Sequence, residues 1–169
     1  NVDFSGLTFV DGGGFLVKSD SPINKTGDMA GKKIAVLAGT AAEQRLRDTL
    51  ARRNVAGTVV PITNANEGVA MLENGSVDAY AGDKIKLVGL AAQAKDPKKI
   101  AMLAEDLSIE PYAFALPRGD AALRLEVNRG LTQVYMGGAI EGIYAQWLGP
   151  LGRPSGLLAA MYLLYSIPD

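Results

Sequence analysis

The sequence predicts an α/β fold with a largely parallel sheet. Three observations carry this reading. Through the middle of the chain, short apolar runs alternate with amphipathic stretches. Brief turns separate the two kinds of segment. And 48% of the 169 residues are apolar against 21% charged, an ordinary globular balance with enough apolar mass for a core.

Residues 33–38 (KIAVLA) read as a buried strand, and Gly39-Thr40 follows. Residues 41–53 read as a helix with Ala42, Leu46 and Leu50 on one face at i, i+4 spacing. Residues 58–62 form a second strand. Residues 64–74 form a short helix carrying Val69 and Leu72, stopped by Gly75. A third strand spans 77–81, and a third helix spans 83–94 with Ile85, Val88 and Leu90 apolar. Strands are also expected at 100–103 and 112–116. Ligands of such sheets bind outside the carboxyl ends of the strands. Gly39-Thr40 and Asp83 both lie at such ends.

The two ends of the chain read differently. Residues 4–10 are rich in apolar side chains, and a strand is expected at 15–17. Between them stands Gly12-Gly13-Gly14, which suits a hinge, a tight turn or a close backbone crossing. Residues 120–136, 139–148 and 155–166 read as helices, with a break at 149–154. Leu123, Val127, Leu131 and Val134 form the apolar side of the first, and Tyr144 and Trp147 of the second read as core.

Composition excludes several functions. The net charge of −1 leaves no electrostatic case for nucleic acid or an anionic membrane. With no cysteine and no histidine, there is no disulfide, no thiol nucleophile, no Ser-His-Asp chemistry and no usual zinc ligand. No metal, cofactor or catalytic residue is expected. The opening residues, Asn1-Val2-Asp3-Phe4, lack the basic and apolar regions of a secretory signal. The apolar run at 156–165 is shorter than the roughly 20 residues that cross a bilayer.

Three stretches, in this order and spacing, resemble the amino-acid-binding proteins of polar amino-acid ABC importers, solute-binding protein family 3, the glutamate/aspartate receptors among them. They are residues 2–17; residues 37–43 (LAGTAAE) after the lead-in 29–33; and residues 72–80 (LENGSVDAY) with Asp83 beyond. Residues 142–148 (GIYAQWL) match the family's return to its first lobe. The resemblance implies the type 2 periplasmic-binding-protein fold, in which two α/β lobes close on a ligand. It places residues 1–17 at the end of lobe 1 and the hinge, 18–110 in lobe 2, and 111–169 in the return hinge and C-terminal helices of lobe 1. The first lobe's opening section, with its carboxylate-binding arginine, has no counterpart here. The implied function is extracytoplasmic, periplasmic amino-acid binding for import, with an ABC permease as partner and no catalysis. Helices left uncovered by that missing section imply association between copies.

Thr40-x-x-Glu43 is a capping-box pattern, so Thr40 has an ordinary helix-capping reading. A helix N-terminus also suits a carboxylate. The resemblance implies that Thr40 and the adjoining backbone of Gly39 and Ala41 grip the ligand's α-carboxylate. Asp83 reads either as a cap or, by the resemblance, as the acceptor for the α-ammonium. The sequence departs from the glutamate/aspartate subgroup at Ala41 and Ala42, where hydroxyl residues are common, and at Ala65, where a histidine stands. An uncharged or different amino acid is therefore open. Two other functions share the fold: a dehydratase, with Glu43 the nearest candidate acid, and a receptor's sensory module. The phosphate-loop likeness of residues 27–33, the tripeptide Arg118-Gly119-Asp120 and the sequons at Asn24 and Asn74 are weaker signals.

Overall fold

The computed structural model describes residues 1–149 and 154–166. Most of the break between the last two helices, residues 150–153, and the chain end, residues 167–169, lie outside the described residues. Contacts divide the chain into two compact units, Gly12–Ile109 and Asn1–Asp11 with Glu110–Asp169.

The Gly12–Ile109 unit contains β2 (Gly13–Lys18), β3 (Lys33–Leu37), α1 (Ala41–Arg52), β4 (Thr58–Ile62), α2 (Ala65–Asn74), β5 (Ala79–Asp83), α3 (Lys84–Ala92) and β6 (Ile100–Met102). Its sheet has the order β4-β3-β5-β2-β6. The first three strands are parallel, as strand–helix alternation requires. β2 runs antiparallel to both of its neighbours, β5 and β6, so the sheet is mixed, with β2 the one reversed strand in a largely parallel sheet. β2, the strand expected before the middle section, pairs on both sides within it.

The apolar runs are unbroken because both sheet faces are covered. Phe15, Val17, Ile34, Val36, Ala79 and Ala81 point to one face and meet Leu46 and Leu50 of α1. Leu16, Ala35 and Tyr80 point to the other and meet Val69 and Leu72 of α2 and Leu87 of α3. Leu87 is the buried residue of α3, 1% exposed. Ile85, Val88 and Leu90 are only partly buried.

Of the three readings of the triple glycine, the structure shows a close crossing at Gly12. A Cβ on Gly12 would lie 1.9 Å from the Ser108 carbonyl oxygen. The two segments are stitched there: Gly13 N–H donates to Ser108 Oγ at 2.8 Å, and Leu107 N–H donates to Gly13 O at 2.8 Å.

The second unit pairs β1 (Val2–Asp11) antiparallel with β7 (Glu110–Pro117), and three helices follow: α4 (Ala121–Met136), α5 (Ala139–Leu148) and α6 (Gly156–Leu164). Its small core joins Tyr135, Tyr144, Leu158, Met161 and Tyr162, with Leu7, Phe9, Leu131 and Val134 packed against them. The Tyr135 hydroxyl donates to Leu7 O at 2.8 Å. Trp147 is not a core residue: it is 72% exposed. Tyr144 and Leu148, four residues apart, take the inward face of this ten-residue helix, and Trp147 lies off that face.

Candidate functional site

At the carboxyl edge of the parallel strands, three helix N-termini arrive side by side. β3 leads into α1 through Thr40, β4 into α2 through Asn64, and β5 into α3 through Asp83. The registers Leu37↔Ile62 and Val36↔Ala81 make these strand ends neighbours. The structure therefore brings Gly39, Thr40, Ala41 and Asp83 to one edge of one sheet.

Only half of the expected capping box forms. Thr40 Oγ1 accepts the Glu43 N–H at 3.3 Å and donates its own proton to Leu37 O at 2.7 Å. The Glu43 carboxylate does not return to the Thr40 N–H. It accepts the Gly39 N–H at 2.9 Å, while its other oxygen takes the Arg47 guanidinium at 2.8 Å. These bonds, Arg47 first and the Gly39 N–H second, hold Glu43 below the usual carboxylate range. The consequence lies in what stays free. The N–H groups of Thr40, Ala41 and Ala42 have no protein acceptor among the described residues. They are the orphan donors that every helix start presents, here left open to an anion. The Thr40 hydroxyl, whose proton is committed to Leu37, is not among those donors.

Asp83 is the last residue of β5 and the N-cap of α3. Its Oδ1 accepts the Lys86 N–H at 3.2 Å. Its other oxygen takes no bond from the described residues. One site residue thus offers N–H groups and its neighbour an unshared carboxylate oxygen, the two things a zwitterion needs.

The weaker motifs resolve into structure. Residues 27–33 precede a strand, whereas a phosphate loop follows one. Gly119 N–H donates to Asp3 Oδ2, and Asp120 caps α4 through the Leu123 N–H. Thr26 is fully buried, and Asn74 Oδ1 accepts the Ser76 N–H.

The profile of NMT1/THI5-like proteins matches residues 11–116. The chain belongs to the NMT1/THI5-like family. It is 31% identical to the L-glutamate/L-aspartate-binding protein of Pseudomonas aeruginosa over 92% of this chain and 52% of that one. A periplasmic binding protein from Brucella ovis with glutathione bound shares 28% identity at a TM-score of 0.66, covering 81% of this chain and 44% of that one. An ancestral amino-acid-binding protein, a precursor of cyclohexadienyl dehydratase, shares 27% identity at a TM-score of 0.62, over 86% of this chain and 61% of that one. The fold is that of the type 2 periplasmic binding proteins. The curated relatives are amino-acid-binding proteins of ABC importers, and the chain spans about half the length of those it matches first. No helix among the described residues is long and apolar enough to cross a membrane.

Proposed function

We propose that the Gly12–Ile109 unit is one lobe of an extracytoplasmic amino-acid-binding protein that delivers its ligand to an ABC permease. The observation that carries this reading is the pairing of free N–H groups at Thr40, Ala41 and Ala42 with the unshared oxygen of Asp83 at adjacent strand ends. The N–H groups take the α-carboxylate and Asp83 takes the α-ammonium. Binding proceeds with no bond made or broken. Glu43, the residue an enzyme on this fold would use as an acid, is committed to Arg47 and Gly39 and held ionised. The ligand's side chain meets Ala41, Ala42 and Ala65, which offer neither charge nor hydroxyl. That favours an uncharged amino acid over aspartate or glutamate. The exposed apolar side chains on the helical unit, Trp147, Leu163 and Leu164 among them, draw copies of the chain together. Light scattering at rising concentration reads that association.

The test of the site is an amide NMR titration of the chain with each of the twenty L-amino acids. One of them should move the amides of Thr40, Ala41, Ala42 and Asp83, and Asp83→Asn should remove the effect with the spectrum otherwise intact. A charge-assisted bond contributes about 1.5–3 kcal/mol, so the affinity should fall about tenfold or more. Shifts confined to other residues, or unchanged affinity in Asp83→Asn, would end the assignment.

A further inference from the structure

Lysine at the first position of a helix stands at the positive end of the dipole, where a cation is disfavoured. Lys84 occupies that position in α3, next in sequence to Asp83. An unpaired ammonium there would place a positive charge near the Asp83 oxygen that the site needs free. The structure shows it elsewhere. The Lys84 stem lies flat across β2 at Gly14, where a Cβ would meet Lys84 Cγ at 2.9 Å and Cε at 3.4 Å. Its ammonium ends in an ion pair with Asp106. Asp106 is held in place by its neighbours, since Leu103 N–H donates to Phe15 O and Leu107 N–H to Gly13 O, both on β2. The Lys84 backbone is pinned as well, its N–H donating to Gly12 O at 3.0 Å.

We propose that Asp106 is a positioning residue for the amino-acid site: it draws the Lys84 ammonium across Gly14 and away from Asp83, leaving that carboxylate to the ligand. The inference rests on the proposed role of Asp83. Gly14 is the passive partner, bare so that the lysine can lie down.

Two independent changes release the lysine, and both have a rescue. Asp106→Asn removes the anchor, and Gly14→Ala blocks the path. Each should weaken binding of the amino acid that titrates the wild-type amides by roughly three- to tenfold, the size of one nearby unit charge at a solvent-facing site. The loss should shrink as salt is raised. Lys84→Met alone should change affinity little. Lys84→Met with Asp106→Asn, and Lys84→Ala with Gly14→Ala, should restore wild-type affinity, because no lysine remains to be freed. A purely structural ion pair predicts the reverse, with Lys84→Met as harmful as Asp106→Asn and no rescue. Asp83→Asn separates the two levels. If it abolishes binding while Asp106→Asn does not weaken it, or if the double variants fail to recover, the inference falls and the site stands. If Asp83→Asn leaves binding intact, or no amino acid moves the wild-type amides, the site itself falls and the inference with it.

Discussion

In the Gly12–Ile109 unit, successive residues of β2, β3 and β5 alternate between two covered faces, and Phe15, Leu16, Ile34, Ala35 and Val36 are all essentially inaccessible. The helical unit hangs on a two-stranded ribbon and buries only a tyrosine-centred cluster. Among the described residues, every exposed large apolar side chain except Ile109 belongs to it. The comparison teaches where cohesion comes from. A five-stranded sheet gives three helices two surfaces on which to spend their apolar faces. A ribbon of two strands cannot give three helices the same, so Phe4, Phe114, Met136, Trp147, Leu163 and Leu164 remain in water. The candidate ligand groups lie on the self-sufficient unit.

The sharpest way to break this contrast is to cut one phenylalanine from each unit. Phe15 is 0% exposed at the centre of the sheet, and Phe4 is 61% exposed on the ribbon. Phe15→Ala should cost about 3–5 kcal/mol in urea unfolding. Phe4→Ala should stay within about 0.5 kcal/mol and should reduce association instead. Equal losses would mean that the two units share one core. Next in size is Gly12→Ala. The obstacle to its Cβ is the Ser108 backbone, which cannot swing aside, so the cost should reach the upper part of the roughly 1–3 kcal/mol typical of overpacking. Wild-type stability for this variant would show that the crossing is looser than described.

The two units also carry different pH-sensitive groups, although burial raises the Tyr80 phenol of the sheet-bearing unit too. Glu105 lies in the sheet-bearing unit. Burial pushes its pKa up, but the Thr26 N–H and the Arg53 guanidinium outweigh burial and hold it below its ordinary 4.5. The Thr26 hydroxyl beside it makes no bond of proper geometry. A depressed folded value means that the stabilisation is present above pH 4.5 and is lost as the pH falls below it through the lower, folded pKa. In the helical unit, burial first and then Tyr135 and Tyr144 push the Tyr162 phenol from 10.0 up to about 12. A raised folded value keeps the full contribution below pH 10.0 and loses it as the pH climbs toward about 12. Amide NMR at falling pH should lose the resonances around Thr26 and Arg53 early. Tyrosine ultraviolet absorbance at rising pH should show late ionisation coupled to loss of the α4–α6 signals. Loss of the helical unit's amide signals together with those around Thr26 and Arg53 on the acid side would break the comparison.

Legibility in the sequence followed how local each cause is. The strands of residues 33–37 and 58–62, the helices of 41–52 and 65–74 and the caps at Thr40 and Asp83 depend on neighbours a few residues away, and all were readable. β2 was readable as a strand, but its place between β5 and β6 depends on segments more than 60 residues distant. The triple glycine was ambiguous for the same reason, since Ser108 supplies the missing half of the explanation. Leu87 is not legible as the buried residue of α3, because the apolar residues around it surround the helix rather than striping it. At the site, the capping-box pattern is visible, but not that Glu43 takes the Gly39 N–H in place of the Thr40 N–H, which leaves the latter free. The pull of Asp106 on Lys84 was equally invisible.

The smallest effect separates what Thr40 does for its helix from what it does for a ligand. Its hydroxyl makes two bonds, accepting from Glu43 N–H and donating to Leu37 O, and both are internal. Thr40→Ala should therefore lower stability by about 1 kcal/mol, the usual worth of an N-cap. Thr40→Ser, which keeps the hydroxyl, should recover most of that. Affinity should follow a different rule. The donors offered to a carboxylate are backbone N–H groups, which alanine also carries, so binding should weaken only as far as the turn at Gly39-Thr40 loosens. The loss should be smaller than that of Asp83→Asn, measured in the same titration. If Thr40→Ala removes binding as completely as Asp83→Asn while its urea midpoint barely moves, the hydroxyl must leave Leu37 and turn to the ligand on binding. The site would then be one that rearranges, and the sheet-bearing unit would no longer be the rigid partner in the comparison.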